Sequence, residues 1–272
     1  MSETEGHADE SRLVTDFSGD VSLDEFRLDG TVQTTLTKGE EEELVLSAYR
    51  ERNDEVFPRV LDLHVEEGAT IADVTYGKGV FWKNVDFGQY DVYASDLSAE
   101  KSPSGYPVDC RNLPYEDDFL DVVVLDPPYA EGFFRKNEDM LAGGDSSHSQ
   151  FRENYSNGEV LDTRGSKYHQ AVFDLYAEAG IEAQRVLKND GTLIVKTQDE
   201  VSANTQELTH VQITNFYESK LGMYTKDLFV VVRSNRPAVS GMNRQVHARK
   251  NHSYFLVYEL DGTPTNTLES NI

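Results

Sequence analysis

Cysteine is all but absent. The 272 residues hold one, Cys110, which excludes an internal disulfide framework, Cys-rich zinc sites and a three-cysteine iron–sulfur site. Basic residues are scarce: 25 Lys+Arg stand against 49 Asp+Glu, a formal net charge of −24. Long apolar runs are missing too, and none approaches the ~18 residues of a membrane-spanning helix. The N-terminus, MSETEGHADE, lacks the basic-then-apolar layout of a secretory signal. These gaps lead us to expect a soluble, cytoplasmic protein with no membrane partner, long enough to bury a core without covalent staples.

Spread evenly, such a charge would repel a nucleic acid. Abundant acid with few lysines fits adaptation to high salt, and in molar salt the Debye length falls to about 3 Å. The acidity therefore leaves a polyanionic partner open, but its binding site has to be a local basic patch.

Along the chain, residues 1–40 read as an acidic arm; residues 1–30 alone hold nine acids and two arginines. Residues 41–262 read as the folded domain and 263–272 as a polar tail. Glu40 to Glu43 suit a helix N-terminus. Tyr49, Val56, Val60 and Leu63 follow at helical spacing, with Pro58 expected to break or restart that helix. From residue 69 the pattern becomes strand, glycine turn, helix. ATIADVT is a short apolar strand, and Val80, Phe81 and Trp82 open a helical stretch after it. Asp91 to Ser95 and Tyr106 to Val108 are further strands. Leu120 to Leu125 is apolar but for Asp121, as in a strand buried on both faces. Residues 130–166 form a long polar loop. Val172 to Leu187 carry one helical face, Asn189-Asp-Gly191 cap it, and Thr192 to Lys196 return as a strand. Leu228 to Arg233 and Tyr254 to Tyr258 are the last strands. Strands alternating with helices predict a doubly wound α/β sheet.

Three constellations carry chemistry. Asp73-Val-Thr75-Tyr-Gly77-Lys-Gly79 follows a strand, where glycines let the backbone turn sharply and approach a ligand. Asp96 ends the next strand, 17 residues beyond Gly79, where nucleotide-binding folds place a carboxylate for ribose hydroxyls. The third glycine of a dinucleotide fingerprint is missing. Asp126-Pro127-Pro128-Tyr129 stands at the carboxyl end of the apolar strand, where α/β sheets hold their ligands. The prolines stiffen the turn. A carboxylate and the Pro127 carbonyl could take both N–H hydrogens of an exocyclic amine, and the tyrosine ring could stack on its base. Lastly, residues 228–258 contain no acid at all. They hold Arg233, Arg236, Arg244, Arg249 and Lys250, a basic segment suited to phosphate contact.

Together these motifs make the sequence resemble the class I S-adenosylmethionine-dependent nucleic-acid amino-methyltransferases, whose motif is Asp, Asn or Ser, then Pro-Pro, then an aromatic residue. The resemblance covers roughly residues 45–260. It implies a Rossmann-like, mostly parallel seven-stranded sheet. It also implies that Asp73, Thr75, Gly77, Gly79, Asp96 and Asp109 bind S-adenosylmethionine and that Asp126, Pro127, Pro128 and Tyr129 are catalytic. Tyr76 departs from the family pattern, which favours a small residue there. The glycine motif precedes the Pro-Pro motif, so the order is not the permuted one.

The expected activity is methylation of an exocyclic base amine in DNA, adenine-N6 before cytosine-N4. An RNA methyltransferase, such as one forming N2-methylguanosine in tRNA, is the alternative, and a protein methyltransferase or an inactive binding relative a more distant one. Cytosine-C5 chemistry would need a cysteine nucleophile; Cys110 sits in the cofactor half and reads as a core residue. His247 and His252 have no acidic neighbour in sequence, and no metal is expected. Loops 130–166 and 234–251 are the only room for target recognition, with Arg135, Lys136, Arg152, Arg164 and Lys167 as a second basic wall. So compact a chain suits a short recognition site, a single-stranded substrate, a homodimer or a partner subunit.

Overall fold

The computed structural model describes residues 26–28, 44–129, 168–233 and 245–261. The expected loop 130–166, most of loop 234–251, nearly all of the N-terminal arm and the tail 263–272 lie outside these residues. So do Arg236, Arg244, Arg135, Lys136, Arg152, Arg164 and Lys167.

The chain opens with strand β1 (Ala48–Tyr49) and helix α1 (Asn53–His64), then β2 (Thr70–Asp73), β3 (Asp91–Ala94) and β4 (Leu120–Leu125). Helix α2 (His169–Val186) leads into β5 (Leu187–Thr197). A small hairpin, β6 (Glu200–Ser202) and β7 (Thr205–Glu207), precedes α3 (Thr209–Lys220), β8 (Met223–Val232) and β9 (His252–Leu260). Seven strands make one sheet in the order β1-β8-β9-β5-β4-β2-β3. Every pairing is parallel except those of β9, which runs against both β5 and β8. The expected doubly wound, mostly parallel seven-stranded sheet is thus what forms.

Strand alternation divides the core into two layers. Leu125, Val123, Leu193, Val195 and Leu256 pack against α2 and α3 on one face. Ile71, Val124, Ile194, Phe229 and Phe255 meet Phe57 of α1, Phe81 and Trp82 on the other. On the first face Tyr217 of α3 crosses α2 at Gly180 and donates a hydrogen bond to the Tyr176 carbonyl, 2.8 Å. A Cβ at Gly180 would lie 2.4 Å from the Tyr217 ring, so only glycine admits this crossing.

Several local expectations are corrected. Helix α1 begins at Asn53, not near Glu40, and Tyr49 lies in β1, paired with Val231. Pro58 sits inside α1 instead of breaking it. A proline there removes the hydrogen bond to the carbonyl of Asp54, four residues back, and the Asn84 side chain supplies the missing donor at 2.8 Å. After the glycine turn, Phe81–Asn84 form a single 3-10 turn instead of a helix. Tyr106 to Val108 give one bridge, Asp96 to Pro107, instead of a strand. Asn189-Asp-Gly191 do not cap α2; they bulge within β5, where the pairing with β4 jumps from Leu120–Leu187 to Val122–Thr192. The acidic arm is tied down at its described residues, 26–28. Phe26 is fully buried, Leu28 donates to the Val92 carbonyl at 2.7 Å, and Arg27 pairs with Asp91 at 2.9 Å. This segment covers the edge strand β3.

Helix α3 and the β6–β7 hairpin went unforeseen. Helix α3 buries only Thr209, Ile213 and Tyr217, too thin a stripe to read as amphipathic. The β6–β7 turn places both Ala203 and Asn204 at positive φ, as a type I′ hairpin requires, without the glycine that usually marks one.

Candidate active site

Strand β2 lies between β3 and β4, so the chain winds outward to β3 and then crosses back past β2 to β4. That reversal is a topological switch point, and ligand crevices in such sheets open above the carboxyl ends of the strands there. The sequence motifs converge on it. Asp73 ends β2, Asp96 follows β3, and Asp126 follows β4.

The glycine turn is built around two backbone positions in the left-handed region, Gly77 (φ +58°) and Gly79 (φ +63°), which side-chain-bearing residues adopt only with strain. Tyr76 folds its ring over Gly79, where a Cβ would fall 2.4 Å from the Tyr76 hydroxyl. The bulky residue that departs from the family pattern thus relies on the glycine three places on. Asp96 holds the turn, accepting from the Gly77 amide at 2.9 Å and the Ser98 amide at 2.8 Å.

Asp73 is buried. One oxygen accepts from the Trp82 indole at 2.7 Å and the other from the Thr75 amide at 3.0 Å. Burial pushes its carboxyl up to about 7, against the pull of those two donors, and the nearby Asp96 charge adds to the rise. Asp109 keeps to the rim, where the Arg111 guanidinium takes both its oxygens, at 2.9 and 2.7 Å. Burial raises the Asp109 carboxyl, but the Arg111 hydrogen bonds outweigh it and hold the group below its ordinary value.

The Asp126 amide donates to the Thr75 hydroxyl at 2.6 Å, which ties the Pro-Pro turn to the glycine turn. Asp126 Oδ1 is buried and has no hydrogen-bond partner among the described residues. The Tyr129 hydroxyl accepts from Arg233 at 2.8 Å, at the end of β8. Arg233 was expected as a phosphate contact; the structure sets it against the Pro-Pro-Tyr turn. Arg249 is exposed, and Lys250 bonds to the Gln206 side chain. His247 meets the Asn204 carbonyl at 3.1 Å, so the described end of the basic loop rests on the β6–β7 hairpin. Cys110 is buried, as expected, and burial pushes its thiol up to about 12.

Sequence reasoning missed Lys196. It sits one residue before the end of β5, 2% exposed, with its ammonium 3.9 Å from the centre of the Phe255 ring and no hydrogen-bond partner among the described residues. The signal was present: a lysine closing the apolar run Leu193-Ile-Val195 on a central strand is seldom fully buried without a role.

A doubly wound sheet with one antiparallel strand, and a glycine turn with carboxylates at its switch point, match the Rossmann-like fold of S-adenosylmethionine-dependent methyltransferases. Within that class, the family model described as DNA methylase, for N6 and N4 methyltransferases, matches residues 120–270, and the chain belongs to this family. Its cofactor is S-adenosylmethionine. The residues fit that group: the left-handed turn leaves the backbone open at Gly77, and the carboxylates of Asp73 and Asp96 flank it. No curated protein matches the chain in sequence.

Among solved structures the chain is similar to TrmN from Thermus thermophilus, with 14% identity over 76% of this chain and 48% of that one, TM-score 0.45. It is similar to the cytosine-N4-specific PvuII DNA methyltransferase, with 13% identity over 58% and 49%, TM-score 0.39. A third is an S-adenosylmethionine-dependent methyltransferase from Methanosarcina mazei, with 11% identity over 74% and 97%, TM-score 0.45. The chain spans about half the length of the first two.

Proposed function

We propose that the protein methylates an exocyclic base amine in DNA, adenine-N6 in preference to cytosine-N4. The observation that carries this reading is the meeting of two turns at one switch point. The Asp126-Pro-Pro-Tyr129 turn is tethered through Thr75 to the glycine turn, inside a chain of the N6/N4 DNA methylase family.

In this reading Asp73, Thr75, Gly77, Gly79, Asp96 and Asp109 frame the cofactor, which supplies an electrophilic methyl group. The exocyclic amine is a poor nucleophile because its lone pair is delocalised into the ring. The Asp126 carboxylate and the Pro127 carbonyl would accept hydrogen bonds from its two N–H groups and favour a pyramidal nitrogen with a free lone pair; the one proton released on methylation would pass to solvent. Pro127 and Pro128 fix the turn. Tyr129, its hydroxyl anchored by Arg233, offers a ring for the base to stack on, worth about 1–3 kcal/mol. A base in duplex DNA has to be flipped out to reach this turn. Arg233, Arg249 and Lys250, with Arg236 and Arg244 between them in sequence, would meet the phosphates. The surplus of acid would then serve solubility in high salt.

The test offers duplex DNA, single-stranded DNA and total tRNA to the purified protein with tritiated S-adenosylmethionine in molar KCl, followed by digestion and chromatography of the bases. Label in N6-methyladenine of DNA is the expected result. Label in N4-methylcytosine reverses the base preference, and label in RNA alone overturns the DNA assignment.

A further inference from the structure

Three ionisable side chains lie on one face of the sheet, Asp73 two residues below the level of the other two. Asp73, Asp126 and Lys196 occupy the carboxyl ends of the adjacent strands β2, β4 and β5, and each continues the alternation of the α1-facing layer after Ile71, Val124 and Ile194. The register sets Leu125 beside Val195, so Asp126 and Lys196, one residue further on, are level. Asp73 has its donors in Trp82 and Thr75. The other two do not: Asp126 Oδ1 and Lys196 Nζ are both buried and both without hydrogen-bond partners among the described residues. Beneath the ammonium lies only the face of Phe255, at 3.9 Å. A cation over a ring recovers a little of its lost hydration, far less than burial removes.

We propose that Lys196 is a positioning residue, the counter-ion that keeps Asp126 in its carboxylate form. This rests on the reading of Asp126 as the acceptor of the amine hydrogens. The chemical need is plain. An ionised Asp126 only accepts hydrogen bonds. A protonated one would donate into the lone pair that has to attack the methyl group. The surroundings of Asp126 pull in two directions. Burial dominates and holds the carboxyl well above its ordinary value; Lys196 on β5 is the largest opposing influence, Asp73 on β2 adds to the rise, and Arg233 after β8 opposes it. Tyr129 in the same turn and Tyr176 of α2 face it as neutral phenols, raised by burial above their ordinary values. Arg233 is exposed just past the end of β8 and donates to the Tyr129 hydroxyl. Lys196 is the buried one of the two bases: burial lowers its ammonium to about 7, the Asp126 charge opposes that fall, and charges there interact with least screening.

Removing a neighbouring positive charge raises the Asp126 midpoint, so activity that needs the carboxylate is lost at a higher pH as pH falls. Lys196→Met keeps the length and apolar stem, and Lys196→Arg keeps the charge. The experiment reads two things. In isotope-edited infrared spectra of aspartate-labelled protein without substrate, subtraction of Asp126→Asn isolates the Asp126 carboxyl band. Its titration midpoint should rise by about one pH unit or more in Lys196→Met and stay near wild type in Lys196→Arg. The acid limb of kcat/KM should move by the same amount, with the lost rate recovered at high pH. A carboxyl midpoint that does not differ between wild type and Lys196→Met overturns the proposal. So does a wild-type Asp126 that is already protonated at pH 8, a result that needs no lysine variant to fold. Infrared midpoints that shift in a protein that methylates no base leave the counter-ion role standing and remove the methyltransferase reading, so the two failures are distinguishable.

Discussion

The Thr75 hydroxyl accepts a hydrogen bond from the Asp126 amide across 2.6 Å, and that bond joins two turns separated by some fifty residues of sequence. Thr75 was expected as a cofactor contact on its motif alone. Its side chain also fixes the position of the Pro-Pro turn relative to the glycine turn, the distance on which an in-line transfer depends.

Thr75→Val keeps the shape and removes the acceptor. Losing one such bond costs about 1 kcal/mol, and a misplaced turn adds to that. Methyl transfer should fall about tenfold, with cofactor affinity within a few-fold of wild type, and Thr75→Ser should recover most of the rate. Steady-state kinetics with calorimetric cofactor titration checks this; an unchanged rate would mean the tether has no role in positioning.

Asp126→Ala should abolish methyl transfer while leaving cofactor binding nearly intact, because Asp126 does not hold the glycine turn. A variant retaining more than about a tenth of the wild-type rate, against the roughly 2 kcal/mol or more expected for a lost charged acceptor, would remove Asp126 from the reaction.

Asp73 predicts a pH effect on stability. Its carboxyl lies at about 7 in the folded chain and near the ordinary 3.8 when unfolded, so the folded state holds the proton more tightly. The folded chain therefore loses stability as pH rises from about 4 to about 7. Asp73→Asn cannot ionise and escapes that loss. Thermal unfolding from pH 4 to 8 should show the wild type falling relative to Asp73→Asn across this window; parallel curves would show that Asp73 titrates normally.

Arg249 and Lys250 bear on nucleic-acid binding. Neutralising both should lower affinity at every sequence and flatten the log–log salt dependence, by about 0.9 for each phosphate that is no longer neutralised. Filter binding across a salt series measures it, and an unchanged slope would move the phosphate-binding surface elsewhere.

Gly180→Ala brings a methyl group into the Tyr217 ring. Overpacking of this kind costs about 1–3 kcal/mol, so urea unfolding should show the midpoint lowered with the slope unchanged. An unaffected midpoint would mean α2 and α3 separate easily.

The sequence by itself determined the class of fold and pointed to its candidate site. Leu120 to Leu125 could only be a doubly buried strand, and a strand ending in Asp-Pro-Pro-Tyr puts those residues at the ligand edge of a parallel sheet. The glycines at 77 and 79 required a sharp turn after β2. These signals are local, carried by periodicity and by backbone restrictions within a few residues. Tertiary structure decided what depends on distant partners. Pro58 stays inside a helix because Asn84, 26 residues on, replaces the lost donor. Phe26 leaves an acidic arm for the core because β3 presents an open edge. Lys196 stands level with Asp126 because β5 lies beside β4 in one particular register, and no spacing along the chain encodes which strands are neighbours.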